Sequence, residues 1–83
     1  MDLSKIPNVR KSKDFSHKLE LETDIGDMLI NLSDKHLTCN FFNNEMRAKE
    51  IFGHWKVNTF VETEQDIIEH IDFIQSRIKK YIK

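Results

Sequence analysis

Ile67, Ile71, Ile74, Ile78 and Ile82 recur every three to four residues along the end of the chain. At ~100° per residue they fall in a stripe roughly 100° wide, with Tyr81 beside it, which is the signature of a helix with one buried face. A stripe of this kind must lie on another apolar surface, so the rest of the chain has to supply one. The helix ends are also marked. Thr63 is placed to cap the N-terminus, and Asp66 three residues on completes a capping box with a shorter acid. Glu64, Asp66 and Glu69 sit in the first turns, and Arg77, Lys79, Lys80 and Lys83 in the last. That polarity complements the helix dipole and accounts for the basic C-terminus without a ligand.

Upstream, the apolar period changes to two. Leu19 and Leu21 alternate with Lys18, Glu20 and Glu22; Met28, Ile30 and Leu32 form a second inward row, and Leu37, Cys39 and Phe41 a third. Alternation of this kind makes half-buried strands. Asp24-Ile25-Gly26 suits a three-residue hairpin loop with Gly26 in the left-handed region, and Ser33-Asp34-Lys35 supplies the next turn. Asn43-Asn44 ends the third strand. Residues 45–50 are good helix formers, with Asn44 as N-cap and Gly53 at the C-terminal cap, so a short helix over 45–52 is expected in preference to a meander strand from Met46 to Ile51. Trp55, Val57, Thr59 and Val61 then alternate with Lys56, Asn58 and Phe60 as a fourth strand. The expected fold is therefore α+β: a three-strand antiparallel meander plus a fourth strand, packed on a C-terminal amphipathic helix. Residues 1–14, with the single proline and the Arg10-Lys11-Ser12-Lys13 run, are expected as a flexible or strapping arm on a domain spanning 15–83.

At 83 residues the chain affords one domain and a thin stability margin. One cysteine, Cys39, rules out an internal disulfide framework and points to a reducing compartment. No signal-peptide core or membrane-length apolar run is visible, so a cytoplasmic protein is expected. Net charge is −1, but it is distributed unevenly. Residues 1–18 sum to +3 and residues 19–46 to −5.

Chemistry-bearing patterns are sparse. His17, His36, His54 and His70 are dispersed without metal-ligand spacing. Asp66, Glu69 and His70 share one side of the helix, where they read as a solvated first turn. Cys39 falls on an inward row, where a thiol is inert. Two glycines cannot build a phosphate loop. The chain is accordingly expected to be non-enzymatic, without cofactor or metal.

Two surfaces stand out instead. Phe73 lies roughly 130° from the isoleucine stripe, among Glu69, Arg77 and Lys80, a composition suited to an interface. On the sheet face away from the helix, Leu29, Phe42 and Phe60 join Asn31, Thr38, Asn40 and Asn58. The arm, with Ile6, Val9 and Phe15, a second protomer forming a homodimer, or a partner could cover that face. Glu20, Glu22, Asp24, Asp27 and Asp34 form an acidic edge able to meet a basic target.

These features favour a small regulatory or inhibitor-type protein-binding module. The Lys-, Asn- and Ile-rich composition fits an AT-rich genome and suggests a phage or mobile-element protein directed at a host factor. The alternative is nucleic-acid binding through the basic arm (Lys5, Arg10, Lys11, Lys13 and Lys18) and the sheet aromatics.

Overall fold

A computed structural model describes residues 3–13 and 18–82. Among them, five strands form one antiparallel sheet in sequence order: β1 Arg10–Lys11, β2 Leu19–Thr23, β3 Gly26–Ser33, β4 His36–Asn40 and β5 Lys56–Phe60. Helix α1, Glu45–Phe52, joins β4 to β5, and α2, Glu64–Tyr81, follows β5.

The α+β meander is as the alternation implies, with one strand more than expected. Arg10 and Lys11 pair with Glu20 and Leu19, so part of the anticipated arm is an edge strand. Register places Leu19 beside Ile30 and Leu21 beside Met28, then Ile30 beside Cys39 and Leu37 beside Leu32. These side chains share the face on which α2 lies. Leu21, Met28, Ile30, Leu37, Cys39 and Phe41 are buried against Ile67, Ile71, Ile74 and Ile78. Each buried isoleucine contributes about 1.5–3 kcal/mol relative to exposure.

The stripe ends sooner than its sequence period. Ile82 caps α2 and stays 46% exposed, and Tyr81 is exposed too, because the helix has passed the sheet that would cover them. The N-terminus of α2 is built as its residues require. The Thr63 hydroxyl accepts from the Asp66 amide at 3.1 Å, and the Asp66 carboxylate accepts from the Glu62 and Thr63 amides at 2.9 and 3.1 Å.

α1 spans the expected residues, and Gly53 closes it with φ +80. Ala48 and Ile51 are buried, and Phe52 stacks on Phe41 with centroids 5.8 Å apart. Asn44 occupies the N-cap position, yet its side chain makes no capping bond.

Both tight turns are two-residue turns. Thr23 pairs with Gly26, leaving Asp24-Ile25 as the loop where three residues were expected, and Gly26 begins β3 with φ +124. Ser33 pairs with His36, and Asp34 and Lys35 both take positive φ, 49° and 65°, the type I′ pattern that suits the twist of a hairpin.

Ile6 and Val9 do not cover the outer face of the sheet. Ile6 is buried in the helix-side core, and Val9 packs against that core. Phe15 lies outside the described residues.

Candidate partner-binding surfaces

The sheet register aligns the outer face, the one turned away from α2, into rows. Arg10, Glu20, Leu29, Asn40 and Lys56 form one continuous row across all five strands. Asn31, Thr38 and Asn58 form the next, followed by Ser33, His36 and Phe60. Glu22 pairs with Asp27 on the other side of the first row.

Glu20 is not the solvent-facing acid that its alternation suggests. It is fully buried, with Oε1 accepting from Arg10 Nε at 3.0 Å. Asp27 accepts from the other end of the same guanidinium, also at 3.0 Å. The hydrogen bond to Glu20, with smaller coulombic help from Asp27, raises the Arg10 pKa further above its ordinary value. Glu20 Oε2 is buried and, among the described residues, has no hydrogen-bond partner. The acidic edge is therefore divided. Glu20 and Asp27 are paired to Arg10, while Glu22 and Asp24 line a cleft of about 150 Å³ with Gln75 and Lys79.

Beside this ion pair lies a depression of about 260 Å³, lined by Lys18, Leu29, Asn31, Thr38, Asn40 and Lys56. Its floor is partly apolar and its rim carries amides, a hydroxyl and two lysines. Asn40 Oδ1 is buried there and, among the described residues, has no hydrogen-bond partner. A buried polar atom left unpaired costs free energy, which an amide that turned outward to meet a donor would recover. Phe60 stands nearby at 57% exposure, with the His36 ring edge-on to it at 5.6 Å. Phe42 is off this surface: β4 ends at Asn40, and Phe42 lines a hollow at the start of α1 with Asn43, Asn44 and Met46.

The exposed flank of α2 is arranged differently from its composition. Phe73 is 52% exposed and stacks on His70, with centroids 6.2 Å apart. Arg77 leans away from Phe73 toward α1. Its Nε donates to the Ile51 carbonyl at 3.1 Å, and its guanidinium lies 6.0 Å from the Phe52 ring centre. Tyr81 hydrogen-bonds to Glu50, and Glu69 accepts from Gln65 at 3.5 Å. Phe73, Arg77 and Glu69 thus have separate partners. Burial pushes the His70 imidazole below its ordinary pKa, and among the described residues its buried Nε2 has no hydrogen-bond partner.

Of the basic residues grouped in sequence, Lys5 ends a 3₁₀ turn, Arg10 is engaged by two carboxylates, Lys11 and Lys13 are exposed, and Lys18 lines the sheet depression. The Asp66 carboxylate is occupied in capping, and the amides of Glu62 and Thr63 hold it below its ordinary pKa. Burial pushes the Cys39 thiol up to about 12. Among the described residues no group of histidine, cysteine or carboxylate side chains could hold a metal ion, and no helix is long and apolar enough to cross a membrane.

Lys56 and His36 are the contributors that sequence patterning did not single out, whereas Asn40 stands on the outer face as expected. Lys56 and Asn40 were already on the outward parity of their strands; what was hidden is the register that sets them side by side. No known protein family, curated protein or solved structure matches this chain.

Proposed function

We propose that this chain is a non-enzymatic protein-binding module of regulatory or inhibitor type, with the depression on the outer sheet face as its contact site. The supporting observation is the depression that Asn40 lines together with Leu29, Lys18 and Lys56, with Asn40 Oδ1 buried and, among the described residues, without a hydrogen-bond partner. A partner side chain that presents carboxylate or amide oxygen would meet the two ammonium groups while its stem covers Leu29, and a donor on it would satisfy Asn40 once that amide turns outward. Asparagine or glutamine at the tip of a loop has this chemistry. The inert Cys39 thiol and the capping role of Asp66 give the reading its non-catalytic half. The test is site-specific photo-crosslinking in the cell of origin, with the reactive group at Asn31 on the rim and, as control, at Ser76 on α2. The expected result is one saturable adduct at Asn31 that Lys56→Glu with Lys18→Glu abolishes. An adduct that survives those changes, or forms equally at Ser76, removes the assignment.

A second reading, single-stranded nucleic acid on the same face, is favoured by one observation. Arg10 pairs with both Glu20 and Asp27, which halves the negative charge those acids would present to phosphate. Lys18, Lys56, Phe60 and His36 then supply cations and rings for stacking. Oligonucleotide affinity that falls steeply between about 50 and 200 mM salt selects this reading. Absence of binding at the lower salt rejects it.

A further inference from the structure

β1 and β5 are the two edges of the sheet. β1 is two residues long and carries Arg10 and Lys11 shortly after Pro7, features that blunt an edge. β5 is five residues long with one charge and no proline. Its hydrogen-bond parity is fixed from both ends. The Phe41 amide donates to the Trp55 carbonyl and the Val61 amide to the Lys35 carbonyl. Residues 55, 57, 59 and 61 therefore turn their backbone groups toward β4, and Lys56, Asn58 and Phe60 turn theirs to the free edge. Among the described residues the Lys56 amide finds His54 Nδ1 at 3.2 Å, and no segment pairs with this edge.

The side chains of β5 tell the same story. Cys39 and Leu37 are fully buried on the helix side, but the residues paired with them, Val57 and Thr59, are only half-buried. The core stops at the edge with part of its apolar surface open.

The geometry points to a second copy of this chain as the occupant of that edge, with the two β5 strands pairing antiparallel about a two-fold axis at Asn58. This register pairs all five residues of both strands and uses the outward backbone groups of 56, 58 and 60. Asn58 meets the partner's Asn58, Val57 meets the partner's Thr59, and Lys56 meets the partner's Phe60. No lysine faces a lysine. Side chains directly opposite have Cβ atoms about 5 Å apart, so each ammonium reaches the face of an exposed ring. Lys56 already lies over an aromatic ring, with Nζ 5.3 Å from the Trp55 centre, so dimerisation exchanges one ring for another. The product is a continuous sheet through both subunits, with an isologous interface. The Leu29 depression shares Lys56 with this interface, while Lys18, Leu29, Asn31, Thr38 and Asn40 lie outside the paired strands, so the Lys56 ammonium serves one of the two contacts at a time.

Sedimentation equilibrium over a concentration series tests the pairing. The wild-type chain is expected to reach twice its 9.9 kDa mass. Phe60→Lys sets a lysine opposite Lys56 at both ends of the interface and should weaken the dimer by about tenfold or more. Adding Lys56→Glu to that variant should restore it, since each pair becomes an ion pair. Asn58→Pro removes the central outward amide while sparing the β4 ladder, and should give a monomer. Circular dichroism establishes that each variant is folded. A wild-type chain that stays at monomer mass throughout, or a folded Phe60→Lys variant as dimeric as wild type, overturns the proposal. So does failure of Lys56→Glu to restore the dimer in a folded double variant, which does not depend on the proline substitution being tolerated.

Discussion

The Arg77 guanidinium donates to the backbone carbonyl of Ile51 at 3.1 Å, so a side chain of α2 closes the last turn of α1. Carbonyls at a helix C-terminus lack intrahelical partners, and Gly53 returns its amide to Lys49, not to Ile51. Arg77→Ala should therefore destabilise the fold by about 1–2 kcal/mol, from the lost charged hydrogen bond and the contact with Phe52. Urea denaturation measures the total. Hydrogen exchange should show the loss concentrated in the α1 amides, whereas a purely electrostatic surface role would leave them protected.

Gly26 and Asn44 carry a second such dependence. A Cβ at Gly26 would run into the Asn44 side-chain amide, and φ +124 is a conformation that other residues rarely adopt. Gly26→Ala should cost about 2–3 kcal/mol in urea unfolding. Adding Asn44→Gly removes the steric part and leaves the backbone part, so the double variant should recover only a fraction. Full recovery would show that the backbone conformation carries no strain.

The two cases show where sequence patterning stops. Local periodicity specifies which residues of β2 to β5 and α2 face the core, because one side chain after another either meets water or does not. The capping box at Thr63 and the left-handed Gly53 are equally local. Pairings between distant residues leave no periodic trace. Arg10 with Glu20, Arg77 with Ile51 and Gly26 with Asn44 depend on strand register and on how α1 crosses the sheet. Glu20 shows the consequence most clearly: its alternation places it outward, as observed, but a counter-charge from a strand too short to have a pattern lets it be buried. The outer-face depression was half legible for the same reason. Leu29, Asn31, Thr38 and Asn40 follow from parity, while the approach of Lys18 and Lys56 follows from register.

Lys35 is an opportunity to stabilise the protein. With Asp34 it forms a type I′ turn at φ +65, where a side chain crowds the backbone and glycine does not. The backbone carbonyl of Lys35 accepts from Val61 at 2.8 Å, a bond that glycine keeps. Lys35→Gly should raise stability by about 0.5–1 kcal/mol, the relief of strain exceeding the added entropy of the unfolded chain. A shift of the urea midpoint to lower concentration would show that the lysine side chain makes a contribution larger than that strain.

Stability should fall on acidification in two separable windows. Burial lowers the folded-state pKa of His70 beneath its ordinary 6.5, and among the described residues no acceptor faces Nε2 to favour the protonated ring. The unfolded chain then takes up the proton first. No penalty exists above 6.5; it grows as the pH drops below that value and is complete below the folded pKa. Asp66 behaves oppositely in origin though alike in direction. Its backbone hydrogen bonds favour the carboxylate, so its contribution is present above 3.8 and is lost as the pH falls through its lower folded value. His70→Gln removes the titrating group from the upper window and leaves the lower one. Chemical denaturation at stepped pH should therefore show a flatter profile just below neutrality for this variant, and an unchanged decline at strongly acid pH. Equal slopes for both proteins in the upper window would mean that solvent reaches His70 freely, and that its stacking on Phe73 does not keep the ring dry.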